Sequence, residues 1–130
     1  MNEQKPQSNV TGTMEALGRR RHYRLYCELE TGFHFLGNDT AGKGELVNVG
    51  LGGARVDFPI EVPLPAEVVL TFGLPANGTR ARIDLELPAR VVWTVADQEG
   101  GPFPTGVQWR ELSDDTRNQL HELLRALSGV

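Results

Sequence analysis

Asn77-Gly78-Thr79-Arg80-Ala81-Arg82-Ile83-Asp84-Leu85-Glu86-Leu87 decides the fold class. Asn-Gly is the pair that best accepts the positive φ angles of a tight hairpin turn. After it, Ile83, Leu85 and Leu87 alternate strictly with Arg82, Asp84 and Glu86. A period of two is that of a strand with one apolar and one wetted face, whereas a helix would repeat its apolar residues every three to four positions. The stretch is therefore the turn and returning strand of a hairpin. Its first strand is Val68 to Phe72, and a further strand from Arg90 to Val95 follows and carries Trp93.

The same period extends toward the N-terminus. Leu25, Cys27, Leu29, Phe33 and Phe35 share one parity, with Tyr26, Glu28, Glu30 and His34 on the other and a bend expected near Gly32. Gly37 to Gly44 reads as a polar turn. Glu45 to Val49 and Ala54 to Phe58 read as two strands joined by Gly50-Leu51-Gly52-Gly53, with Arg55 and Asp57 facing outward. Three prolines make Pro59 to Pro65 a connection. Asp97 to Thr105 is a Gly- and Pro-rich loop, and Gly106 to Trp109 is the last strand. Fifteen glycines and eight prolines punctuating short strands indicate a barrel or sandwich.

The two ends differ from this body. Residues 1–17 are polar and hold few large apolar side chains, which predicts a flexible tail ahead of a domain spanning 18–130. At the other end Ser113 is suited to cap a helix and Asp114 and Asp115 oppose its dipole. Leu120, Leu123, Leu124 and Leu127 follow at helical spacing, and Gly129 is a stop.

Composition narrows function. A chain of 130 residues suits one core, and a formal net charge of -4 opposes non-specific binding to nucleic acid or an anionic membrane. No apolar run reaches membrane-spanning length, and the single cysteine, Cys27, forms no internal disulfide, so a reducing, cytoplasmic setting is expected. Catalytic chemistry is poorly supplied. The serines are Ser8 in the tail, Ser113 at the helix cap and Ser128 at its end, so a core nucleophile is lacking. His22, His34 and His121 have no partners at metal-ligand spacing, so neither a metal nor a cofactor is expected.

Two clusters remain. Arg19-Arg20-Arg21-His22-Tyr23-Arg24 packs four guanidinium groups into six positions just before the first strand. Arginine pairs two-pronged with phosphate and stacks on flat bases, which points to a phosphorylated, base-bearing ligand. In Asn48-Val49-Gly50-Leu51-Gly52-Gly53, closely spaced glycines permit left-handed backbone and open amides to an anion, and asparagine offers a donor and an acceptor to a base edge. It is not the dinucleotide-binding GxGxxG pattern, which needs a parallel strand-helix unit.

Together these clusters resemble the PilZ domain, the bacterial receptor for cyclic di-GMP. Arg20 to Arg24 is similar to its RxxxR motif, with Arg19 the additional arginine before it, and Asn48 to Gly53 to its (D/N)xSxxG motif, with Gly50 where the pattern has serine. Arg90-Val91-Val92-Trp93, Gly106-Val107-Gln108-Trp109 and the terminal helix extend the likeness over roughly residues 18 to 127. The resemblance implies a six-stranded antiparallel barrel with one C-terminal helix and no catalysis of its own. It further implies a cyclic di-GMP site made by Arg19, Arg20, Arg24, Asn48, Gly50 and Gly53, with Trp93 a stacking candidate, and a signal passed to a protein partner as the tail moves. Two rivals are a barrel of this family that has lost its ligand, suggested by Gly50, and a small barrel binding single-stranded nucleic acid, opposed by the acidic balance.

Overall fold

A computed structural model of the chain describes residues 24–96 and 99–129. Six strands and a helix follow in order: β1 (Arg24–Phe35), β2 (Ala41–Gly50), β3 (Gly53–Phe58), β4 (Glu67–Leu74), β5 (Ile83–Thr94), β6 (Phe103–Trp109) and α1 (Asp114–Ser128). The strands pair antiparallel in the order β1-β2-β3-β6-β5-β4 and close into a barrel, β4 returning to β1. Closure leaves no unpaired sheet edge along most of the circuit. The tail, 1–17, and Arg19 and Arg20 lie outside the described residues.

Alternation in the sequence becomes the inside and outside of this barrel. Ala54, Val56 and Phe58 of β3 and Val68, Leu70 and Phe72 of β4 are buried, as are Ile83, Leu85, Leu87, Ala89 and Val91 of β5. Phe33, Phe35 and Phe58 meet in one aromatic cluster with ring centroids 5.0–5.6 Å apart, two of the three pairs edge to face, which suits the ring quadrupoles. Where β1 passes from β2 alone to β2 and β4 together, at Gly32, the neighbouring Thr31 is buried and its hydroxyl donates to the Thr71 carbonyl at 3.2 Å. The hairpin forms, with Leu74 opposite Ile83, but its tip is Gly78-Thr79 between the bridged Asn77 and Arg80, and Gly78 does not take the positive φ expected of an Asn-Gly turn.

Helix α1 is capped as expected: the Ser113 hydroxyl accepts from Thr116 N–H at 3.1 Å, and Gly129 closes the other end at φ 81°. The helix packs on β5 and β1 and buries Leu120 and Leu123 in the barrel's core. No helix among the described residues is long and apolar enough to cross a membrane.

Three element boundaries differ from the sequence reading. The separate strands at 82–87 and 90–95 are one strand, β5, with Pro88 inside it opposite Val69. Proline removes one donor from the ladder, and its carbonyl still accepts from Arg110 N–H at 2.8 Å, so a single missing bond does not end the strand. β2 begins at Ala41 and not after Gly44, because Ala41 to Gly44 pair with Thr31 to His34 despite their low strand preference. β6 begins at Phe103, opposite Phe58, which shortens the expected loop.

Candidate functional site

The strand register brings the sequence-selected positions among the described residues into adjacent rows on the barrel wall. Arg24 opens β1 directly opposite Gly50, which ends β2. One step further along, a row crosses five strands: Tyr26 faces Asn48, Asn48 faces Arg55, Arg55 faces Gly106, and Gly106 faces Trp93. Gly53 lies at the start of β3 opposite Gln108, which in turn faces Arg90. Arg24, Asn48, Gly50, Gly53 and Trp93 are thus drawn from four strands into adjacent rows.

Irregular pairing borders this row on every ladder but one. The register slips between Tyr26 and Leu29, between Leu46 and Asn48, and between Val91 and Trp93. An extra residue in one strand reverses which face the following side chains take. In β5, Val91 is buried, and unbroken alternation would carry Trp93 inward with it. The slip leaves Val92 and Trp93 both outside, and the indole is 43% exposed.

Two glycines are explained by what lies against them. A Cβ at Gly106 would stand 2.1 Å from Trp93 Nε1, so the indole sits against that residue and needs it bare. A Cβ at Gly53 would stand 2.1 Å from the Val107 carbonyl, so Gly53 permits close backbone approach between β3 and β6. Left-handed backbone is not its reason, contrary to the expectation for the glycine cluster: Gly50 and Gly53 are strand residues, and the described glycines with positive φ are Gly37, Gly100, Gly101 and Gly129.

Asn48 is built into the ladder irregularity. Its Oδ1 accepts the Arg55 backbone N–H at 3.1 Å, and only 8% of the residue is exposed. Because a backbone N–H can only donate, this contact fixes the amide orientation and commits the oxygen to the fold. The NH2 is then the end with hydrogens left to give, where the sequence suggested a donor-acceptor pair.

Two residues absent from the sequence-based site shape it. Trp109, at the end of β6, donates from Nε1 to the Gly50 carbonyl at 2.9 Å, and its backbone N–H donates to Gly52 at 3.0 Å. Both bonds pin the connection between β2 and β3. Arg55, in the middle of the row, is half-exposed and leans along its own strand toward Asp57, with Nε 3.5 Å from the carboxylate. Nη2 donates to the same carboxylate at 3.5 Å, while the buried Nε has no hydrogen-bond acceptor among the described residues, so the pairing is long and incomplete. A long-range contact marks Trp109, and only its strand position marks Arg55.

Cys27 lies on the inward parity of β1, half-buried, with its thiol 3.4 Å from the Leu46 carbonyl. Burial is the main cause that pushes this thiol up from 9.0 to about 11, which makes it a poor nucleophile at neutral pH. Among the described residues no group of three or more histidine, cysteine or acidic side chains is arranged to hold a metal ion.

Comparisons with known proteins fit this geometry. The family model for the PilZ domain matches residues 18–126. Among solved structures, the Bacillus subtilis inhibitor of motility, MotI/DgrA, aligns with a TM-score of 0.64 at 17% identity over 85% of this chain and 52% of its own. The chain therefore spans about half the length of that protein. The PilZ domain of YcgR from Escherichia coli, solved with c-di-GMP, aligns with a TM-score of 0.63 at 13% identity, covering 85% and 92% of the two chains. The PilZ domain of CeSA from a cellulose-synthesizing bacterium gives 0.56 at 17% identity, covering 82% and 96%. At these identities the likeness is one of fold. No curated protein matches the chain.

Proposed function

The chain belongs to the PilZ domain family, and from that premise we propose that it is a receptor for cyclic di-GMP that performs no catalysis and signals to a protein partner. The reading rests chiefly on one observation: the register sets Arg24, the last arginine of RxxxR, opposite Gly50, the middle of NxGxxG, on the barrel's outer face. Guanidinium groups grip the phosphates, Asn48 gives its NH2 hydrogens to an acceptor on the base, and the Trp93 indole offers a flat face to stack on. Arg19 and Arg20 join the site from the segment just before β1.

Gly50 in place of serine removes one hydroxyl. A hydrogen bond to a charged group contributes about 1.5–3 kcal/mol, so its loss lowers affinity without abolishing a site that keeps several arginines. Titration calorimetry of the full chain with cyclic di-GMP, with a single-stranded oligonucleotide as control, tests the reading. Saturable heat with the dinucleotide alone is expected, and Arg20→Ala and Arg24→Ala each weaken it at least tenfold. Heat with the oligonucleotide alone supports a nucleic-acid-binding barrel, and heat with neither supports a family member that acts only through proteins.

A further inference from the structure

Tyr26 is the most exposed large apolar side chain among the described residues, at 80%. It stands two residues after Arg24 in β1, so alternation puts both side chains on the outer face about 7 Å apart along the strand. Its cross-strand partner, Asn48, is small and turned into the Arg55 backbone, and gives the ring no cover. On the other side β1 meets β4 only from Gly32 onward, so among the described residues no strand flanks Tyr26 there. The pairing slip that begins at Tyr26 completes a site of unusual form: an aromatic ring beside an arginine at one end of the row and the Trp93 indole at the other.

From this we infer that Tyr26 is a ligand-contacting residue whose ring stacks on one base of cyclic di-GMP while Trp93 receives the other, an inference that rests on the receptor reading above. The spacing carries it. The indole lies against Gly106, three strands from Tyr26, or about 14 Å measured along the curved barrel wall at the usual strand separation, with Asn48 and Arg55 between. A cyclic dinucleotide presents two flat purines on either side of an anionic ring, and the row presents two flat faces on either side of an amide donor and a guanidinium. Arg24 beside Tyr26 places a phosphate partner next to a base partner, as a nucleotide requires.

The test is calorimetry with cyclic di-GMP on the full chain carrying Tyr26→Ala or Tyr26→Phe. Base stacking on an aromatic ring contributes about 1–3 kcal/mol, so Tyr26→Ala is expected to raise Kd roughly tenfold or more, while Tyr26→Phe stays within about twofold. Melting temperatures of both variants should match the parent, since the ring touches no core. If the parent binds and Tyr26→Ala binds equally well, the inference is overturned and the receptor reading stands. Equal loss in both variants would mean a hydroxyl contact and would also overturn stacking. A parent that does not bind overturns the receptor reading, and this inference with it.

Discussion

The indole Nε1–H of Trp109 donates to the carbonyl of Gly50 across 2.9 Å, tying the end of β6 to the end of β2, 59 residues earlier. Both residues are buried, so this carbonyl has no access to bulk water when the donor is removed. Trp109→Phe keeps a ring to stack on Phe72 but removes the donor. An unsatisfied buried acceptor costs about 1–3 kcal/mol, and the fall should appear as a lower denaturant midpoint. An unchanged midpoint would remove this bond from the account of how the β2–β3 connection is held.

Asn48 has a structural duty separate from any ligand. Asn48→Ala leaves the Arg55 N–H without its acceptor and should destabilise the chain by about 1–3 kcal/mol, whether or not cyclic di-GMP is present. Asn48→Asp keeps an oxygen in place and should retain most of the stability. Comparing the unfolding midpoints of the two variants checks this; equal loss in both would mean the side chain's volume matters, not its acceptor.

Gly106 and Trp93 should behave as one unit. Gly106→Ala puts a methyl where the indole lies, 2.1 Å from Nε1, and since the indole is largely at the surface it swings away at modest cost in stability. The expected result is a shifted tryptophan emission and at least tenfold weaker cyclic di-GMP binding, with no further loss when Gly106→Ala is added to Trp93→Ala. Additive losses in the double variant would show that the two residues act separately.

Cys27 gives a pH dependence of definite sign. A thiol raised from 9.0 to about 11 by burial holds its proton more tightly folded than unfolded. Its contribution to stability is therefore complete below pH 9 and is lost as the pH rises from 9 through 11. Reaction with a maleimide should be slow at pH 7 and accelerate toward pH 11. Fast labelling of the native chain at pH 7 would contradict the burial.

Much of the fold was legible because it rests on local pattern. The parity of Leu25 to Phe35 and the Ser113 cap are each decided by neighbours in sequence, and each stands where alternation or capping put it; the Asn-Gly signal marked the hairpin but not its tip, which is Gly78-Thr79. What escaped depends on partners far along the chain. Pro88 looked like a strand end because its tolerance is set by Val69 and Arg110 across the barrel. Ala41 to Gly44 looked like a turn because the strand they join, β1, supplies the stabilisation that their side chains do not. The candidate site was proposed from two motifs, yet the slip that turns Trp93 outward and the bond that commits Asn48 to Arg55 exist only in the register.

The central claim is that cyclic di-GMP binds on the row joining Tyr26 to Trp93, and backbone amide NMR of the full chain titrated with the dinucleotide tests it most directly. The expected result is saturable shifts concentrated at Arg24, Tyr26, Asn48, Gly50, Arg55, Gly106 and Trp93, with β4 from Val68 to Phe72 nearly unmoved. An absence of saturable shifts, or shifts centred on β4, would contradict the claim.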